Sequence, residues 1–420
     1  MNRLVLPFPA GEGRGAGHTR VALSVAGFRL FVLSAAFFST HAVYAADWSG
    51  NVSAELRAFA HAGLSAEQHD MALSIAAQPE YHQRWDGDNQ SFTFTPFARF
   101  DQYDTERTHA DIRELTWLSA SVTHEWRIGV RKVFWGVTES QHLVDIINQT
   151  DGVENPDGED KLGQPMINLA TIRAWGTVDV FALLGFRERT FPGAEGRLRP
   201  ALPVATSQSQ YESEREWRHV DAALRYRQTL GDWDIGLSYF SGTSRDPRLL
   251  PGQDVAGAPV LIPYYDLIEQ VGIDAQATLG SWLWKLEGIH RSGQGASYYA
   301  TTGGFEYTVS GAFATGMDLG FIAEYLYDER GSDAPTPFQR DVMIGCRLAV
   351  NDEQSAEILF GTIIDTTDST RLYNLEASRR LGSEWKLSAE ARVYANVAPR
   401  DPVYSLRDDD YVQVELARYF

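Results

Sequence analysis

The sequence contains a single cysteine, Cys346, so no intrachain disulfide can form. It has no apolar run of the roughly 20 residues that a membrane helix requires, so no helical span is expected. It also lacks long Pro/Ser tracts, low-complexity segments and heptads, which argues against a chain of linked domains. Positive charge is scarce: 37 Lys and Arg stand against 56 Asp and Glu, a formal charge of −19. Such an acidic surface excludes nucleic acid as a partner. Catalytic signatures are missing too. There is no His-Glu-x-x-His and no Gly-x-Ser-x-Gly, and the ten histidines are scattered. No catalytic residue, metal ligand or cofactor is therefore assigned, and the chain is not expected to be an enzyme. The run Asp151-Gly-Val-Glu-Asn-Pro-Asp-Gly-Glu-Asp160 offers oxygens to Ca²⁺, but its spacing does not fit an EF-hand loop.

What is present begins with an export signal. Residues 30–38 form a short apolar core behind Arg29, and Val43-Tyr44-Ala45 is a small-residue cleavage site. Residues 1–45 are read as a signal peptide and 46–420 as one domain. With no cysteine at the new N-terminus, a lipoprotein is not expected.

The rest of the chain has a strand rhythm. Trp233, Ile235, Leu237 and Tyr239 alternate with Asp234, Gly236 and Ser238; Leu319, Phe321, Ala323 and Tyr325 repeat the pattern, as do Val342, Ile344, Cys346 and Leu348. Alternation gives each strand one apolar and one polar face. A soluble sandwich would alternate in the same way, so three further features decide. The runs are long, near the length of a tilted membrane strand. Short turns such as Gly231-Asp232, Gly280-Ser281 and Gly382-Ser383 alternate with long connections near 188–216, 244–262, 329–337 and 398–409. Trp233, Trp282 and Trp385 each follow a short turn, where an interfacial aromatic girdle belongs. The expected fold is all-β, a transmembrane antiparallel β-barrel of about 18 strands, with 16 as the alternative. An even count places both chain ends and every short turn on the periplasmic side.

The chain ends Tyr411-Val-Gln-Val-Glu-Leu-Ala-Arg-Tyr-Phe420, with Val412, Val414, Leu416 and Phe420 on one face. This resembles the C-terminal strand of Gram-negative outer-membrane proteins, departing from it at Arg418, where an apolar residue is usual. The resemblance implies outer-membrane lipid as the surroundings and Phe420 as an assembly signal read by the barrel assembly machinery. Arg131-Lys-Val-Phe-Trp-Gly136, followed by Glu139-Ser140, resembles the strand-to-loop motif of porin-like barrels of the alginate-export and related uncharacterised families. That resemblance implies a channel of similar build and names no solute.

The segment 136–166 is too apolar at Leu143, Val144, Ile146 and Ile147 for a solvated loop. It is expected to fold into the lumen, over the inward faces of Phe181, Leu183, Leu359 and Ile363. Parity also turns Arg99, Arg127, Arg131, Arg225, Arg227, Arg347, Arg380 and Arg392 inward. These arginines are expected to face Glu139, Asp145, Asp151 and Glu154 of the loop across a constriction with a transverse field. The functional expectation is a passive or weakly selective channel for small polar or charged solutes, with room for a homo-oligomer. Two rivals remain: a plugged export or adhesion barrel with periplasmic partners, and an outer-membrane hydrolase.

Overall fold

The computed structural model describes residues 46–420; the signal peptide expected over 1–45 lies outside them. Eighteen strands form one continuous sheet. They are β1 Ala46–Phe59, β2 Met71–Trp85, β3 Gln90–Asp101, β4 His109–Ala120, β5 His124–Arg131, β6 Gln164–Arg173, β7 Gly176–Leu184, β8 Val220–Leu230 and β9 Trp233–Thr243. They continue with β10 Leu267–Leu279, β11 Trp282–Gly293, β12 Gly295–Ala312, β13 Met317–Asp328, β14 Arg340–Ala349, β15 Glu357–Asp365, β16 Arg371–Leu381, β17 Trp385–Ala395 and β18 Tyr411–Tyr419. Each strand pairs antiparallel with its chain neighbour. β18 closes on β1 in a register running from Asn51↔Tyr419 to Phe59↔Tyr411, so the sheet has no free edge. At the short-turn end, Gly231 and Gly280 sit at φ 63° and 65°, a left-handed conformation that suits glycine.

The alternation sorts the side chains. Leu237, Ile273, Leu286, Phe321, Ile344 and Leu416 point outward and are exposed. Trp233, Trp282 and Trp385 open β9, β11 and β17 on the same surface; Trp282 packs 4.6 Å from Tyr307 between ring centres. Arg418, the departure noted in the last strand, faces outward beside Trp385 and pairs with Glu384 at 3.1 Å. Backbone groups in hydrocarbon must all be satisfied internally, and only helices and closed barrels achieve this. A closed barrel with an apolar, aromatic-girdled exterior is a membrane-spanning barrel of the bacterial outer-membrane kind.

The interior is not an empty tube. β5 leaves the wall at Arg131, and the chain returns only at Gln164 in β6. Between them the chain folds inward. Gly163 makes the close approach this needs: a Cβ there would lie 2.4 Å from the Ile112 carbonyl oxygen on β4. Trp135, Leu143, Val144, Ile146 and Ile147 pack on Met166, Phe181, Leu183, Ala223, Phe240, Ile268 and Ile289 of the wall. Burying each such side chain contributes about 2 kcal/mol, which explains an apolar core inside a polar lumen. A three-stranded sheet of Gln210–Tyr211, Arg248–Gln253 and Pro259–Tyr265 forms within the long connections.

Candidate functional site: the inward loop and the gap beside it

The loop from Lys132 to Gly163 is fixed at both ends by charge. At its start, backbone N–H groups enter the barrel without secondary-structure partners, and buried donors of this kind demand acceptors. Two wall carboxylates supply them. Glu287 on β11, fully buried, accepts from the Val137 and Thr138 N–H groups at 2.7 and 3.0 Å, the Thr138 hydroxyl at 2.8 Å and the Val144 N–H at 3.2 Å. Glu324 on β13 accepts from the Glu139 and Ser140 N–H groups, both at 2.8 Å, and from the Ser140 hydroxyl. Glu139 itself then meets Arg347 at 2.8 Å and Lys285 at 3.3 Å. Burial alone would raise its carboxyl, but these two cations hold it below the usual range.

The far part of the loop is tied to the opposite wall. Arg99 donates to Glu154 from Nε at 3.0 Å and Nη2 at 2.7 Å. Arg107 donates to the Val153 carbonyl at 2.9 Å, and Arg113 pairs with Asp151 at 2.7 Å. Asn148 accepts from the Val133 N–H at 2.8 Å and donates to the Leu162 carbonyl at 2.8 Å, closing the loop's neck. Asp157 pairs with Arg392 on β17 at 2.7 Å, and Asn155 donates to Glu390 at 3.2 Å.

All the arginines expected to face inward do so, but only three of them reach the loop's carboxylates: Arg99, Arg347 and Arg392. Arg127 and Arg131 turn to Glu125 and Asn168 on the wall, while Arg225 and Arg227 pair with Asp274 at 2.9 Å and Asp179 at 3.1 Å. Arg225 also stacks on Trp135. Among the loop acids named from sequence, Asp145, Asp151 and Glu154 are not aqueous constriction groups. They are buried in pairs with Lys161, Arg113 and Arg99, because a carboxylate this deep needs a cation beside it. Glu55, Arg57, Arg107, Arg113 and Glu287 were missing from the sequence reading. Their inward parity on β1, β4 and β11, or their place beside those strands, was the available signal.

His109, Asp151 and Glu154 bring ligand atoms within 4.8 Å of one another. Arg113 and Arg99 already neutralise the two carboxylates, so the group reads as an ion-pair cluster and not as a calcium site.

The groups facing solvent lie along one edge of the loop. Burial opposes charge on His142, yet Glu159, 3.0 Å from its Nε2, and the carboxylate of Glu287, 3.8 Å from its Nδ1, raise it to about 10, so it is cationic at neutral pH. Glu159 is exposed. Asp160 is pushed up to about 7 by burial and by Asp157 and Glu154. This edge meets the wall at Arg347 on β14 and again at Arg392 on β17. Among the described residues, no hydrogen bond or ion pair joins the loop to the two strands between, β15 and β16. Four adjacent strands span about 14 Å of wall. The gap so bounded is lined by Leu359, Ile363, Leu372, Asn374 and Glu376, all inward and none fully buried.

Sequence expectation and structure differ on one wall of this gap. Phe181 and Leu183 lie under the loop, whereas Leu359 and Ile363 do not. The loop's apolar side faces β6 to β12, and Leu359 and Ile363 join a separate cluster with Ile322, Leu326 and Met343 on the wall.

No family model and no curated protein matches the sequence. Solved structures with a similar course of chain include a substituted Rh. blastica porin, at 11% identity over 90% of this chain and 100% of that chain, TM-score 0.43. They also include OmpT, an outer membrane protein of Vibrio cholerae, in its trimer form, at 11% identity over 90% of this chain and 99% of that chain, TM-score 0.43. At that identity and TM-score nothing about the activity or solutes of this chain follows from them.

Proposed function

We propose that this barrel is a porin-like channel through which small polar or charged solutes diffuse. The observation that carries the reading is the gap between the inward loop and strands β15 and β16. The loop is bonded to both sides of the lumen but leaves this sector of wall free. A barrel this wide has an aqueous lumen unless something fills it, and here the filling is partial. The short turns would face the periplasm and the long connections the exterior. Single-channel recording in planar bilayers is the direct test; a folded, purified barrel that passes no current overturns the proposal.

Asp160 makes the channel's ion preference pH-dependent. A carboxyl raised to about 7 is largely neutral at pH 6 and largely ionised at pH 8. His142, at about 10, keeps its charge across that interval. Cation preference is therefore expected to increase from pH 6 to pH 8, read as the reversal potential in a KCl gradient. Asp160→Asn should abolish the change; an identical shift in that variant would count against the assignment.

Phe420 is exposed on the outer surface at the short-turn end, its N–H donating to the Gly50 carbonyl at 3.1 Å where β18 meets β1. Its deletion is expected to slow insertion into lipid vesicles several-fold while leaving the conductance of assembled channels unchanged. Unimpaired insertion in the presence of the assembly machinery would exclude a signal role.

A further inference from the structure

An apolar strip is left uncovered inside the lumen. Leu359 and Ile363 on β15 pack, as Phe338 does, on the cluster of Ile322, Leu326 and Met343. Leu372 on β16 lies directly across from Ile363 in the strand register. All three side chains that border the gap, Leu359, Ile363 and Leu372, remain half-exposed. The loop's own apolar residues are engaged elsewhere, in the cluster on β6 to β12. Apolar side chains facing water in a channel are unfavourable by themselves, and a contiguous wetted patch of this kind marks a contact surface.

The opposite side of the same gap is acidic. Glu139, Asp157, Glu159 and Asp160 stand on the loop edge; Glu390 lies on the wall at the border, and Glu376 interrupts the strip's own wall, directly across from Leu359. The nearby cations are Arg347, Arg392, Lys285, His142 and Lys161, each already paired with one of these carboxylates, with Glu287 or, for Lys161, with the buried Asp145. Carboxylates are in excess, and Glu159 and Asp160 on the loop are exposed. Arg380 and Lys386, opposite one another in the register, lie further toward the short-turn end, beyond the strip.

A passage with an apolar strip on one wall and carboxylates facing and flanking it is complementary to a solute with an apolar body and a cationic end. We propose that the gap selects amphipathic organic cations: an ammonium or guanidinium group with a hydrocarbon or aromatic body. The charged end runs along Glu159 and its neighbours, and the apolar body slides over Leu359, Ile363 and Leu372. The inference rests on the gap being the conducting path.

Block of the KCl current by two probe cations tests it. Benzyltrimethylammonium and tetramethylammonium carry the same charge and differ in the apolar body. The benzyl compound is expected to block at about tenfold lower concentration, the effect of two or three carbon groups leaving water. The ratio of the two blocking concentrations should fall to near unity in the Ile363→Ser/Leu372→Ser double variant. Glu159→Gln should weaken block by both cations alike and leave the ratio near its native value. Equal block by the two cations in the native protein, a ratio unmoved by the double variant, or a preference for chloride over potassium would each overturn the inference while the channel reading stood. Native protein alone decides the first and third outcomes, should the double variant fail to assemble. Absence of any KCl current would overturn the channel reading and this inference with it.

Discussion

Single-channel conductance should rise about twofold in the Glu287→Ala/Glu324→Ala double variant. Together the two carboxylates hold the backbone N–H groups of Val137, Thr138, Glu139, Ser140 and Val144 and the hydroxyls of Thr138 and Ser140. Hydrogen bonds to a charged acceptor contribute about 1.5–3 kcal/mol each, and they do not simply add. Removing both acceptors weakens docking of the loop's first turn by roughly 5 kcal/mol. That turn carries Glu139, which forms one border of the gap through Arg347. Once it is free the gap widens, and larger current fluctuations should accompany the larger mean current. The apolar cluster around Val144 and Ile147 keeps the rest of the loop inside, so the effect stays well below that of an empty barrel. A conductance unchanged from native, in a variant that still shows the heat-dependent gel mobility of a folded barrel, would show that these carboxylates do not control the passage.

The second large effect is on stability. Glu55 on β1 lies between Arg99 at 3.2 Å and Arg107 at 2.8 Å, with Arg57 at 3.8 Å, and all four side chains are nearly inaccessible. Glu154 and Asp101 complete the cluster, which joins β1, β3 and the segment after β3 to the inward loop. Taking out one member of a buried ion network strands the opposite charges, at a cost of about 3–5 kcal/mol. Glu55→Ala is expected to lower the urea midpoint for unfolding in detergent micelles accordingly. Glu55→Gln, which keeps an acceptor but not the charge, should fall between. A midpoint equal to the native one would mean that water enters the cluster and screens it.

The strand plan was legible because it depends on local alternation. Trp233 to Tyr239 and Leu319 to Tyr325 declare an outward face with no knowledge of any neighbour, and Gly231 and Gly280 declare the turns. Most of the eighteen strands were visible in this way; the second, Met71–Trp85, followed in part from the need for an even count. The inward loop was legible for a related reason: Leu143, Val144, Ile146 and Ile147 are too apolar for open solvent.

Pairing of charges was not legible in the same way. Parity puts Arg99 and Arg225 alike on the inner face, yet one reaches Glu154 on the loop and the other Asp274 on β10. Which carboxylate an arginine meets depends on where the loop crosses the lumen, and that depends on contacts far apart in the chain, such as those of Glu287 with Val137 and Thr138. By itself, then, the sequence determined which residues face lipid and which face the lumen, since period-two alternation is a property of the strand. Only the tertiary structure decided which inward charges are spent holding the loop, as with Arg99 and Arg347, and which pair along the wall, as with Arg225 and Arg227. Long-range approach in a closed barrel is set by register and loop path, and neither is written in any single strand.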